Sequence, residues 1–180
     1  KKNKNVSSIR SSGLLESIKF DKNISKYNLV IVCSGYNSAL VKNLFKDKII
    51  ESSYKEFAVT TILRHASKEN NTTRQIFLDD AIFALLPISR TKTSIVWSIK
   101  NYMKEKSYFF LKKKIKLYAS NFLKSVKFSS EIEKKDLNLL VRNKYYSERT
   151  LLFGDALHLM HPFVGQSFNM TLRDLRCLEK

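Results

Sequence analysis

Two short stretches near the end of the chain carry the residues best suited to holding a ligand. Gly154 and Asp155 follow directly on the apolar run Thr150-Leu151-Leu152-Phe153. Beyond a loop containing Pro162, Gly165, Gln166, Ser167 and Asn169 open what reads as a helix that runs to the end. A glycine at a strand's end lets the backbone approach a ligand closely. The aspartate beside it offers an acceptor for a ligand hydroxyl. A helix starting at Gly165 or Gln166 would aim unpaired N–H groups and a positive dipole end at the same place. Together they suit a molecule that has both hydroxyls and an electron-rich carbonyl edge. Taken alone, Asp155 reads more readily as a simple turn or helix cap than as a ligand contact, and only the full motif tips it the other way. His158 and His161 have a spacing that could suggest metal, but no third ligand lies near and H-E-x-x-H is absent, so packing or loop hydrogen bonding is expected and a metal is not. No G-x-S-x-G elbow supports a hydrolase.

These residues need strands and a helix to present them. Leu29-Val30-Ile31-Val32-Cys33 is a continuous apolar run, as expected of a strand buried on both faces of a parallel sheet. It ends in a loop at Ser34–Ser38, with Gly35 inside it, and Ala39–Phe45 reads as a short helix. Residues 1–27 are polar with weak periodicity and support only a strand around Ser17–Phe20 and a turn at Asp21-Lys22-Asn23. Four short runs follow, Phe57–Leu63, Arg74–Leu78, Ala81–Leu86 and Ser94–Ile99. Turns at Asp79-Asp80 and Ser89–Lys92, with Pro87 at a strand end, make them an antiparallel sheet. Residues 107–124 are the clearest helix, with Tyr108, Leu111, Ile115, Tyr118 and Phe122 on one stripe and Lys112, Lys113, Lys114 and Lys116 off it. Packing on the sheet with a wet basic face is the preferred reading, and a helix lying on a membrane surface is the alternative. A polar link then leads to the strand at Thr150–Phe153.

The bulk properties set the outer limits. The chain has 180 residues, 43% of them hydrophobic, which is enough for a packed core and argues against disorder. Lys and Arg number 33 against 16 Asp and Glu, a net charge of +17, which could draw a polyanion. The lysines are scattered, however, and the aromatics fall on buried-type positions, so a solvated basic surface without a nucleic-acid partner is expected. Cys33 and Cys177 form no disulfide or metal pattern and suit a reducing, cytoplasmic setting. No apolar run reaches a membrane span.

The pattern Gly154-Asp155-Ala156-x-His158-x-x-His161-Pro162-x-x-Gly165-Gln166-x-x-Asn169-x-x-x-x-Asp174 resembles the second flavin motif of the FAD-dependent aromatic-ring hydroxylases. The ubiquinone-biosynthesis branch is the most similar. Arg74–Phe77, Ala84–Pro87 and Ser94–Ser98 resemble that branch's substrate-domain sheet, and Val30–Ser38 resembles the family's other flavin loop. The resemblance implies a mixed α/β (α+β) fold. A partial FAD-binding, Rossmann-like domain would carry an inserted antiparallel-sheet substrate domain of the p-hydroxybenzoate hydroxylase type. Residues 1–48 and 129–180 would belong to the flavin domain and 49–128 to the substrate domain. It implies a monooxygenase that hydroxylates a polyprenylated phenol with FAD, O₂ and NADH or NADPH, with peripheral membrane or biosynthetic-complex association left open. Asp155 would accept from the ribityl chain. Gly165, Gln166 and Ser167 would lie by the ring, Asn169 at its pyrimidine edge and Pro162 on its face, with Gly154 and Gly35 giving backbone room. No catalytic acid or base is singled out. The chain departs from the family where Cys33-Ser34-Gly35 replaces Ala-Asp-Gly, and where Ser167 and Thr171 replace glycines. It also holds no Gly-x-Gly-x-x-Gly for the ADP half of FAD. The chain is therefore expected to be part of a longer enzyme. The competing reading is a non-catalytic basic protein that binds nucleic acid or anionic lipid.

Overall fold

A computed structural model describes residues 5–20, 23–46, 49–162 and 165–179. In chain order the elements are β1 (Val6–Ser12), β2 (Leu15–Phe20), β3 (Asn23–Tyr27), β4 (Val30–Val32), α1 (Ala39–Leu44), β5 (Ile49–Arg64), β6 (Arg74–Leu78), β7 (Ala81–Ser89) and β8 (Lys92–Lys100). Then come α2 (Tyr108–Ser120), β9 (Lys127–Phe128), β10 (Glu133–Arg142), β11 (Tyr146–Ser147), β12 (Thr150–Leu152), β13 (His158–Leu159) and α3 (Gln166–Leu178). Short 3-10 turns occupy Asn101–Met103 and Gly154–Ala156. The chain divides into two compact units, residues Lys1–Tyr54 with Asn138–Lys180, and Lys55–Leu137. The divisions fall inside β5 and β10, whereas the family resemblance implies boundaries near residues 48 and 128. Lys55, at the first division, has φ +54.

In the first unit, β4 pairs in parallel with β12, Val30 opposite Thr150 and Val32 opposite Leu152. β11 and β12 form a hairpin beside them. The apolar run at Leu29–Cys33 thus yields a parallel strand, as its composition predicts, but its burial is one-sided: Val30 and Val32 are buried while Ile31 is 47% exposed. Residues 6–27 form a three-stranded antiparallel sheet, β1-β2-β3, well beyond the single strand expected there. Ile9 of β1 and Ile18 of β2 join Val30, Val32, Val41, Phe45, Leu152 and Ala156 in one core, with Phe20 packed against it. So few inward apolar residues leave almost no alternating pattern to read. The turn expected at Asp21-Lys22-Asn23 falls partly outside the described residues, and Asn23 already belongs to β3.

The second unit is the antiparallel sheet expected from the four runs. β8 pairs with β5 and β7, and β7 with β6. α2 lays Leu111, Ile115 and Ala119 on Phe57, Phe83, Ile95 and Trp97 to close the core. Ser107 caps α2 by accepting the Phe110 N–H at 3.2 Å. Pro87 does not end its strand. It lies within β7, at a register shift between Pro87 and Ser89 that absorbs its missing N–H. Tyr108 leaves the expected buried stripe and is 54% exposed. There the Lys134 ammonium lies 4.8 Å from the centre of its ring. The polar link before Tyr146 is largely a strand, β10.

Candidate functional site

β4 and β12 run in parallel, so the loops carrying Gly35 and Gly154-Asp155 leave from neighbouring strand ends of the same polarity. The Phe153 N–H donates to the Val32 carbonyl at 3.0 Å, which holds the two exits side by side. Crevices outside the carboxyl ends of parallel strands are where open α/β sheets bind ligands. Gly35 and Gly154 have φ +81 and +64, in the left-handed region that favours glycine. After Phe153 the chain makes one 3-10 turn, Gly154–Ala156, closed by the Leu157 N–H on the Gly154 carbonyl at 2.9 Å. Ala156 is buried in the core and Asp155 points outward, exposed.

α3 begins at Gln166, one residue after Gly165, whose φ of +66 turns the chain into the helix. Gly165, at the cap position, has no side chain to cap the helix, and the first turn carries no acid. A methyl group added at Gly165 or Gly35 would meet nothing within 4 Å, so both glycines face open space. At Gly154 it would meet the Thr171 side chain at 3.9 Å, an ordinary contact that shows α3 lying against the turn. Pro162 is exposed, and its carbonyl accepts the Gly165 N–H at 3.2 Å, closing the loop before the helix.

Ser167 does different work from a flavin-facing glycine. Its Oγ accepts the Met160 N–H at 2.9 Å and ties the helix to the loop ahead of it. Thr171 turns its hydroxyl back to the Ser167 carbonyl at 2.9 Å. Both side chains at the positions that depart from the family's glycines are therefore occupied locally. Gln166 and Asn169 are exposed on the first turns of α3. A helix amino end that begins at a glycine, an exposed carboxylate and two open glycines fit the ring and ribityl chain of a flavin.

Three further residues hold this arrangement. Arg142, at the end of β10, is 4% exposed. Its Nε–H donates to the Ala156 carbonyl at 2.9 Å, and its backbone N–H donates to the Leu157 carbonyl at 3.2 Å. One residue thus grips two successive carbonyls at the end of the Asp155 turn. Burial lowers the guanidinium's pKa, with the Glu51 carboxylate partly opposing, and its Nη1 is buried without a partner. His158, 4% exposed on β13, sets its Nε2 2.8 Å from Asp174 Oδ2, joining the loop to the middle of α3. His161 packs edge-on against Tyr54, with ring centres 5.0 Å apart. The two histidines thus face different partners. Among the described residues no group of three or more His, Cys, Asp and Glu is gathered for a metal. Asp174 was visible in the motif, but no sequence signal pointed to Arg142.

The model of the squalene epoxidase family matches residues 26–180. Among curated proteins, the ubiquinone hydroxylase UbiL of Rhodospirillum rubrum is 26% identical, covering 69% of this chain and 30% of its own. The human ubiquinone biosynthesis monooxygenase COQ6, mitochondrial, is 29% identical over 83% of this chain and 40% of its own. The Dictyostelium discoideum protein of the same name is 27% identical over 97% and 45%. The chain thus spans less than half the length of these relatives. Among solved structures, the flavin-dependent halogenase CmlS superposes with a TM-score of 0.75 at 16% identity, covering 92% of this chain and 33% of its own. The anhydrotetracycline hydroxylase OxyS of Streptomyces rimosus superposes with a TM-score of 0.64 at 18% identity, over 97% and 36%. The mixed α/β architecture is that of the p-hydroxybenzoate hydroxylase-like flavoproteins. With its model matched from residue 26 to residue 180, the chain belongs to the squalene epoxidase family of FAD-dependent monooxygenases.

Proposed function

We propose that this chain forms the ring-binding end of an FAD site in a monooxygenase that hydroxylates a polyprenylated phenol in ubiquinone biosynthesis, drawing electrons from NADH or NADPH. One observation carries the reading. Two glycine loops leave adjacent parallel strands, α3 packs against the turn of the second, and Asp155 stands exposed in that turn, ahead of the amino end of α3 in the chain. The names of the relatives support the substrate class, since UbiL and COQ6 are ubiquinone-biosynthesis enzymes.

Bound FAD supplies the oxygen chemistry, and the protein supplies place and field. The Asp155 carboxylate accepts from a ribityl hydroxyl. The first N–H groups of α3, at Gln166 and Ser167, face the carbonyl edge of the ring and favour negative charge there. Asn169 supports the pyrimidine edge. Gly35, Gly154 and Pro162 keep the backbone close to the ring without side-chain bulk. The first unit, Lys1–Tyr54 with Asn138–Lys180, serves the cofactor, and the sheet of the second, Lys55–Leu137, serves the phenol.

The test is turnover under ¹⁸O₂. The flavin-loaded protein, given reduced nicotinamide and a polyprenylated phenol, should release a product carrying one labelled oxygen on the ring. Nicotinamide oxidation with no label in any phenol offered would overturn the hydroxylase reading.

A further inference from the structure

α2 buries only one side. Leu111, Ile115 and Ala119 enter the core of the second unit, while Phe109 is 79% and Leu117 60% exposed. Lys112, Lys113 and Lys116 are exposed as well. At 3.6 residues per turn, these five outward residues fall within one arc of about 140°. The helix Tyr108–Ser120 contains no acidic residue, so the arc is of one sign. The ammonium groups of Lys112 and Lys116 lie 5.6 and 5.9 Å from the centre of the Phe128 ring, which holds both on that side of the helix. Lys127, next to Phe128, is also exposed.

We propose that this face of α2 is a docking surface for an anionic lipid bilayer. The lysines meet the negative surface charge, and Phe109 and Leu117, about two turns apart, enter the acyl boundary. Charge alone would serve a nucleic acid equally well. The two large apolar side chains decide between them, because a phosphate backbone gives Leu117 nothing to bury against, whereas a bilayer rewards both. The surface belongs to the second unit alone, so its lipid contact stands or falls separately from the flavin site.

Vesicle sedimentation of the whole protein provides the test. Phosphatidylcholine vesicles containing phosphatidylserine should bind it, pure phosphatidylcholine vesicles should not, and added salt should weaken the binding. A Phe109→Ser/Leu117→Ser variant should lose about tenfold or more in partitioning, from the apolar area it no longer buries. Lys113→Glu/Lys116→Glu should lose at least as much. These side chains are exposed, so unchanged Trp97 emission should confirm intact folding. α3 also exposes apolar residues, and a Phe168→Ser/Leu172→Ser variant should partition like the parent. Loss of binding in the α3 variant, with the α2 variants at the parent level, would overturn the proposal. Equal binding to neutral and anionic vesicles would also overturn it. So would binding to a single-stranded oligonucleotide that both serine substitutions leave intact, in a protein that ignores vesicles.

Discussion

Replacing Arg142 by methionine isolates what its guanidinium does for the turn that presents Asp155. The Nε–H lies 2.9 Å from the Ala156 carbonyl, in a residue only 4% exposed. A hydrogen bond from a charged donor contributes about 1.5–3 kcal/mol. Two effects offset part of that loss. The substitution removes a charge that burial disfavours and an Nη1 that has no partner, and methionine refills most of the volume. A net destabilisation of about 1–2 kcal/mol remains. For a unit of roughly a hundred residues, this lowers Tm by about 5–15 °C. The backbone bonds from Arg142 to Leu157 and from Leu157 to Gly154 survive, so the turn persists but is held less firmly. Asp155 then loses preorganisation, and FAD affinity should fall about three- to tenfold. Thermal melts followed by circular dichroism read the first effect, and quenching of FAD fluorescence reads the second. A methionine variant that melts within about 1 °C of the parent and binds FAD equally well would refute the role assigned to Arg142.

Asp155→Ala removes an exposed acceptor and should leave Tm nearly unchanged. FAD affinity should fall by about tenfold or more, from an unpaired ligand hydroxyl costing on the order of 1–3 kcal/mol; equal flavin content under limiting FAD would count against it. Gly154→Ala should cost about 1–2 kcal/mol in a denaturant titration, through backbone strain at φ +64 and not through crowding, since Thr171 stands 3.9 Å from the added carbon. Leu111→Ala, which opens a cavity at a fully buried position on the inner face of α2, should cost about 2–5 kcal/mol in the same titration. Cys33 is exposed, but partial desolvation of its thiol raises the pKa, so less thiolate is present near neutrality; its alkylation, followed by mass spectrometry, should lag behind a free model thiol at about pH 8 and catch up as pH rises.

The elements that the sequence revealed are those whose burial writes a pattern. Phe57–Leu63 and Ser94–Ile99 alternate or run apolar because the sheet core takes Phe57, Val59, Leu63, Ile95, Trp97 and Ile99 from them. α2 announced itself through Leu111 and Ile115, although Tyr108, at its first turn, lies exposed beside Lys134 and outside the stripe. β10 stayed hidden because its first half, Glu133-Lys134-Lys135-Asp136, is polar and mostly solvated. Among the described residues of β1, β2 and β3, only Ile9 and Ile18 are buried in the core, with Phe20 packed against its edge, too little for periodicity to register. Of the candidate site, the glycines and Asp155 could be read because their local backbone roles are written in their residue types. The grip of Arg142 on Ala156 and the reach of His158 to Asp174 depend on pairings that form only when β10, β13 and α3 come together.

The most direct test of the central claim is a crystal structure of the flavin-loaded protein. The isoalloxazine ring should lie at the amino end of α3, with its carbonyl edge within hydrogen-bond distance of the Gln166 and Ser167 N–H groups and a ribityl hydroxyl on the Asp155 carboxylate. FAD bound with its ring away from both Asp155 and the start of α3 would contradict the account.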